Sequence, residues 1–477
     1  MRSTCFVLIL LAACGGRDNS TPDAAAHHDS APTIDAPADA APDSPAPHPD
    51  AAPGAASRVW AVGDFVTDTT VQGGWFTDGD TLPATAATVP PGTAVFPTPS
   101  TAAPYTAFVF DATATNTAYV ADVTTAGTFD LNVAAADGSS PTLLVAGQPN
   151  IEIATIALSP DGSKVAFMMD SAAYNNAYDV WVVNTAGTPV PLLVSPTRPV
   201  TAANPALLSA FTGALSWSAD SKYLGFSGDF TTDNIRQAYV VDTSATAPAA
   251  VTLLADTEVT GTGVGARASV LFDANDNAYF RAGLTDNAQF TLFQATPDGV
   301  TRAALAVPMR GDNSTASAGA FAISPDGTTI AFSADAPQAT TYNVYATPIA
   351  AWNPTKLTNA TVANTNPAFL APMVFSPDGK YVAFVGDLST DTINEPFVAA
   401  VDGSGTHRVF NVTVTSADAA QVAWTADGSG LYVQGDLEVD GDNTLFRVDP
   451  AMTDGAMTKA ITLPAMGDVT NVVIRAK

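Results

Sequence analysis

Three stretches of the chain read almost alike: Ile156–Phe167 is IALSPDGSKVAF, Phe321–Phe332 is FAISPDGTTIAF and Met373–Phe384 is MVFSPDGKYVAF. In each, an apolar run enters Ser-Pro-Asp-Gly and a second apolar run leaves it to end on an aromatic. Proline fixes φ at the first central position of a turn. Aspartate accepts a local backbone hydrogen bond, and glycine takes the positive φ that closes the hairpin. The stretch therefore predicts two antiparallel strands, and its Asp and Gly are turn residues rather than catalytic ones. Weaker copies are LSWSADSKYLGF (Leu215–Phe226) and VAWTADGSGLYV (Val422–Val433), and degenerate ones are VLFDANDNAYF (Val270–Phe280) and FVFDATATNTAYV (Phe108–Val120). Aligned, the turn aspartate or its equivalent falls at positions 113, 161, 220, 275, 326, 378 and 427, at intervals of 48 to 59 residues. Four strands of about five or six residues with their turns fill that length.

The pattern extends beyond each hairpin. VGDLSTDTINEPFVAAVDGSG (Val385–Gly405) and SGDFTTDNIRQAYVVD (Ser227–Asp242) are close copies, and AVGDFVTDTTVQGGWFTDGD (Ala61–Asp80) falls in the same register without a preceding SPDG strand. The missing strand stands at the other end of the chain, where Val469–Arg475 reads VTNVVIR. Pairing of that strand with the sheet containing Val59–Asp64 would hide two sheet edges that otherwise invite aggregation. The repeat resembles the TolB-like, WD40-like β-propeller repeat, in which SPDG joins the inner two strands of each blade. The resemblance covers essentially all of 58–477. It implies an all-β, eight-bladed propeller closed by its terminal strands, the alternative being seven blades with 58–105 appended. TolB propellers usually carry six blades and a preceding α/β domain; this chain has neither, so the role of TolB itself is not carried over.

Composition agrees with strands and turns. Of 46 acidic residues only Glu152, Glu258, Glu395 and Glu438 are glutamates, and the chain holds 34 Gly and 35 Pro. Aspartate favours turns whereas glutamate favours helices. A net charge of −28 makes nucleic acid an improbable partner, because phosphate recognition needs a basic surface. The expected partner is a protein presenting a basic patch, met by a monomer.

The N-terminus MRSTCFVLILLAAC is too short in its apolar run to span a bilayer and reads as a signal sequence over 1–13. Leu11-Ala12-Ala13-Cys14 resembles the lipobox of bacterial lipoproteins. That resemblance implies lipidation of Cys14, a membrane anchor and a cell-envelope location, the outer membrane being expected. Residues 15–57 hold 13 Ala, 8 Pro and 7 Asp, with Ile34 the only large aliphatic residue. Such a stretch buries too little apolar surface to offset its ordering entropy and reads as an extended tether, together with Cys14 spanning 14–57. It resembles tethers of predatory and soil delta-proteobacterial lipoproteins. His27, His28 and His48 lie in it without further metal ligands nearby.

Few residues carry chemistry. No Gly-x-Ser-x-Gly occurs, and His407 is the one histidine of the repeat region. No Cys/His set suits zinc. The chain is expected to bind rather than catalyse, with a carbohydrate-active or other enzyme using the central channel face as the alternative. Carboxylates remain: Asp64 and Asp68, Asp229 and Asp233, Asp387 and Asp391, Asp436 and Asp440 each stand as Gly-Asp-x-x-x-Asp. Hard oxygen ligands at that spacing suit Ca²⁺; the competing reading is that these aspartates cap the loop between second and third strands. No other cofactor is expected. Trp217 and Trp424 share a register position with Leu158, Ile323 and Phe375, which makes them core, while Trp75 and Trp352 are available to line a face.

Overall fold

The computed structural model describes residues 57–63, 73–78, 105–113, 115–121, 128–136, 138–147, 153–171, 174–196, 215–231, 235–245, 247–259, 265–285, 289–359, 373–389, 393–412, 414, 418–439, 443–460 and 469–476. The signal sequence 1–13, Cys14, the tether histidines and the tether as far as 56 lie outside them. Among the described residues the only helical element is one 3-10 turn, Asp256–Glu258.

Among the described residues the strands form eight antiparallel sheets. Sheet 1 has three strands: Gly73–Asp78, Ser57–Gly63 and Val469–Ala476. Sheets 2 to 8 have four consecutive strands each and span 105–145, 153–193, 216–254, 265–304, 318–356, 374–408 and 419–459. In every one of these seven, chain order equals spatial order. The C-terminal strand pairs with Ser57–Gly63, Trp60 standing opposite Val473. The strand missing at the front of the repeat is thus supplied from the back.

The turns owe their shape to the residues that announced them. In sheet 3 the Asp161 carboxylate accepts from Ser159 Oγ at 2.7 Å and from Ser163 N at 3.0 Å, and Ser159 Oγ accepts the Lys164 amide at 2.9 Å. Gly162, Gly327, Gly379 and Gly428 all take φ near +70°. Ser221 holds the same conformation, at φ +64°, without being glycine. The two degenerate turns depart from the alignment, which set the turn aspartate at 113 and 275, occupied by Thr113 and Asn275. The carboxylate stands two residues earlier. Asp111 accepts the amides of Thr115 (2.8 Å) and Asn116 (3.1 Å), and Asp273 those of Asn275 (2.8 Å) and Asn277 (2.9 Å). A carboxylate at the first position replaces the serine hydroxyl and the later aspartate together.

The core lies between sheets. Strands alternate their faces with period two, so each sheet has two sides to bury. Val165, Phe167 and Leu158 of sheet 3 cluster with Val120 and Leu131 of sheet 2, while Ala166, Val180 and Val182 cluster with Trp217, Leu224 and Phe226 of sheet 4. The same exchange runs on through sheets 5, 6, 7 and 8. The aromatic that ends a second strand stacks on one in the third: Phe226 on Tyr239 at 5.4 Å, Phe280 on Phe293 at 5.4 Å, Phe384 on Phe397 at 5.7 Å. Trp217 and Trp424 are buried as expected, and each reaches back one sheet, Trp217 Nε1 donating to Ala157 O (3.0 Å) and Trp424 Nε1 to Val374 O (3.1 Å). Trp352, expected to be free to line a face, instead stacks on Phe332 at 5.9 Å and donates to Ala306 O at 2.6 Å. The side chain of Trp75 lies outside the description.

Candidate functional site

The two ends of the sheets differ. At one end lie the short hairpins, of which Ser-Pro-Asp-Gly is the type. At the other, second strands hand over to third strands and each sheet connects to the next. From sheet 2 to sheet 8 those connections vary from seven residues (146–152) to 22 (194–215). Variable connections on a regular scaffold are where binding residues concentrate.

At this variable end a belt of carboxylates marks the ends of the second strands: Asp170, Asp229, Asp335, Asp387 and Asp436. The first four are buried and Asp436 is half-buried. The geometry is clearest in sheets 6 and 8. Asp335 Oδ1 accepts the Ser317 amide at 2.5 Å, and Ser317 Oγ accepts the Phe290 amide of sheet 5 at 3.0 Å. Asp436 Oδ1 accepts the Asp418 amide at 2.6 Å, and Asp418 Oδ1 accepts the Asn394 amide of sheet 7 at 2.7 Å. Each carboxylate thus satisfies the residue entering the first strand, whose side chain satisfies the neighbouring sheet. Backbone bonds run beside them: Ala318 N to Phe290 O (2.8 Å), Ala419 N to Asn394 O (2.9 Å), Ala266 N to Arg236 O (2.7 Å). Carboxylates engaged in this way hold sheets together.

Of the eight calcium candidates, Asp229, Asp387 and Asp436 are described and all belong to this belt. Asp64, Asp68, Asp233, Asp391 and Asp440 lie outside the described residues. Among the described residues no three His, Cys, Asp or Glu side chains gather into a set for a metal ion. His407 is half-buried, with Nε2 2.8 Å from Pro450 O.

Beside the belt, third strands open on a second polar rung: Asp130, Gln237, Asn343 and Glu395. Asp130 Oδ1 accepts Gly147 N at 2.7 Å and Thr358 Oγ1 donates to Asn343 Oδ1 at 3.1 Å. Glu395 is fully buried and paired with Arg408 at 2.6 Å, and Ser389 also donates to it. The Arg408 guanidinium grips Asp454 of sheet 8 with two bonds, Nε to Oδ1 at 2.6 Å and Nη2 to Oδ2 at 2.9 Å. These bonds raise the Arg408 pKa and hold the Asp454 carboxyl below its ordinary value.

Cations gather in sheets 4 to 6. Arg310 pairs with Asp335. Arg281 Nη1 donates to Ala318 O at 3.1 Å, and its guanidinium lies 5.0 Å from the Phe290 ring centre. Burial lowers the Arg236 guanidinium, opposed by the nearby Asp229 charge. Burial, then the Asp335 charge, raises the Tyr342 hydroxyl, against which Arg281 and Arg310 act. The sequence reading missed this cluster, together with Asp170 and Asp335 of the belt. The signal for the aspartates was present, since both stand three residues after the strand-ending Phe167 and Phe332. They follow Met169 and Ala334 rather than the glycine that singled out Asp229, Asp387 and Asp436.

No family model and no curated protein matches this chain. Solved structures do. A structure from work on two prolyl endopeptidases matches with TM-score 0.50 at 12% identity over 77% of this chain. The fold is a β-propeller. This chain covers half (50%) of that protein's length. Oligogalacturonate lyase in complex with manganese follows at TM-score 0.45 and 12% identity, over 70% of this chain and 86% of that one. TolB from Acinetobacter baumannii matches at TM-score 0.33 and 16% identity, over 59% of this chain and 60% of that one. Among the described residues no helix is long and apolar enough to cross a membrane.

Proposed function

We propose that the chain is an eight-bladed propeller, anchored at the cell envelope through lipid on Cys14, that binds a partner at its variable end without catalysis. Residues 14–57 set the reach of the tether, and the outer membrane is the proposed site of anchoring. The single observation that carries the binding reading is the belt. Asp335 and Asp436 are engaged with backbone amides, so the fold's own carboxylates form a frame and leave recognition to the connections around it. Repulsion between residual acidic charges is consistent with a monomer, and the proposed partner is a protein with a basic patch.

A face-resolved crosslinking experiment on the full chain in membranes tests this. A photoreactive residue replaces either Met309, exposed at the variable end, or Val300, exposed on a hairpin at the opposite end. The same partner band from Met309 and not from Val300 is expected. A band from Val300 alone would assign binding to the hairpin end and overturn the reading.

A further inference from the structure

We infer that the propeller rests on the bilayer by the outer edge of sheets 2 to 4, whose exposed aliphatic side chains enter the headgroup layer. The inference rests on the lipid anchoring proposed above and adds which side of the molecule faces the membrane. First strands of neighbouring sheets lie against one another, Tyr105–Phe110 on Ile153–Leu158 and Gly265–Phe272 on Ala318–Ile323, so fourth strands stand at the periphery.

These peripheral strands fall into two groups. Those of sheets 5, 6, 7 and 8 each carry a cation: Arg302, Lys356, Arg408 and Lys459. Those of sheets 2, 3 and 4, Thr142–Val145, Leu192–Leu193 and Ala250–Leu254, carry no charged residue. The lack runs past the strands, since no Asp, Glu, Lys, Arg or His stands within 138–151, 180–197 or 243–255. On a chain of net charge −28, adjacent sheets thus present one neutral sector. Leu143, Val190, Leu192 and Leu193 are exposed on it, at 46, 62, 47 and 41%. Leu192 stands opposite Val182 and Leu193 opposite Trp181, so the two leucines flank the edge of sheet 3 on both its faces.

The chemistry of this sector favours lipid over protein. A bare strand edge invites another strand, but Pro141, Pro191 and Pro248 stand just before the three strands, and proline offers no amide for pairing. The four exposed side chains are aliphatic, whereas protein interfaces are anchored by Trp, Tyr and Arg. Aliphatic side chains gain free energy by burial at the headgroup boundary, and an uncharged sector brings no carboxylate against the lipid phosphates. The cations of the other edges give no basic face in exchange, because Arg302, Arg408 and Lys459 are paired with Glu258, Glu395 and Glu438. Position agrees as well. The tether runs into Ser57 of sheet 1, whose strand Val469–Ala476 lies against Tyr105–Phe110 of sheet 2, so the neutral sector begins beside the point of attachment. An anchor keeps the sector at high effective concentration near the bilayer, and a small apolar patch then suffices.

The test uses the full chain with its anchor, reconstituted in phosphatidylcholine vesicles whose acyl chains carry bromine. A fluorophore is attached at Val190→Cys or Leu193→Cys, and for comparison at Val300→Cys or Met452→Cys, which are exposed on sheets 5 and 8. Quenching by the brominated lipid is expected at 190 and 193 and not at 300 or 452. It should be the same at low and high salt, because apolar insertion is not screened. Leu192→Asp with Leu193→Asp should abolish quenching at 190 and leave the melting temperature unchanged. Equal quenching at all four sites, or none at any, in vesicles that carry the chain on flotation would overturn the inference and leave the anchor standing. A chain that fails to float would overturn the anchor and this inference with it. A disulfide joining two unlabelled Leu193→Cys chains, in place of quenching, would assign the edge to a second copy and overturn it too.

Discussion

Asp335 and Ser317 hold each other twice: the Asp335 carboxylate accepts the Ser317 amide at 2.5 Å, and the Ser317 carbonyl accepts the Asp335 amide at 3.2 Å. The pair joins the end of a second strand to the start of the first strand beside it. Arg310 closes on the other carboxylate oxygen. Removing the carboxylate leaves a buried amide and a nearly buried guanidinium without their acceptor. Asp335→Ala should lower the unfolding free energy by about 3 kcal/mol, read from urea denaturation. A change below about 0.5 kcal/mol would mean that water replaces the carboxylate at no cost.

Ser221 separates two small effects. It holds φ +64°, where four of the other turns carry glycine, and its Oγ accepts the Asp161 amide of the neighbouring sheet at 3.0 Å. Ser221→Gly loses the bond and relieves the backbone, each worth about 1 kcal/mol, and should be nearly neutral. Ser221→Ala loses the bond and keeps the strain. It should be less stable than Ser221→Gly by about 1 kcal/mol in the same denaturation assay.

Acid should loosen the junction of sheets 7 and 8. Hydrogen bonding to Arg408 holds the Asp454 carboxyl below its ordinary value in the folded protein. A lowered folded pKa contributes stability above the unfolded value and loses it as pH falls through the folded one. The contribution is therefore whole at neutral pH and fades below about pH 4. Because Asp454 is exposed, it is modest. Asp454→Asn should flatten the fall of stability with acid between about pH 5 and pH 3, measured by denaturant titration across that range.

Deleting residues 469–477 strips the partner from Ser57–Gly63 and opens a sheet edge. The truncated protein should lose about 3 kcal/mol or more and associate through the bare edge, seen by denaturation and light scattering. Deletion of residues 20–50 should by contrast leave the melting temperature unchanged.

The repeat was legible because turn chemistry and strand period act within a dozen residues. Pro160, Asp161 and Gly162 announce their hairpin locally, and Val469–Arg475 could be placed once the register was counted. The belt was half legible. Asp229, Asp387 and Asp436 were singled out by their glycine, as loop caps or calcium ligands, but the part Asp436 plays depends on Asp418, which belongs to the strand entry across the rung and is anonymous in composition. Trp352 misled for the same reason: its stacking partner Phe332 is close, but the Ala306 carbonyl that fixes its indole comes from the preceding sheet. Arg408, Glu395 and Asp454 meet across two sheets, and no spacing rule along one strand could bring them together.

The pairing of Ser57 with Ala476 also sets a timetable. Contacts of such sequence separation form slowly, because the chain between must first be ordered. A ribosome adding about 5–20 residues per second makes the first strand of this pair roughly 20–80 s before the last. Throughout that interval Ser57–Gly63 lacks its C-terminal neighbour, while sheets 2 to 8 gain all their strands one after another before residue 469 is made. The edge that synthesis leaves unpaired longest is the one that a chaperone, a protease or a second unfinished copy would meet first.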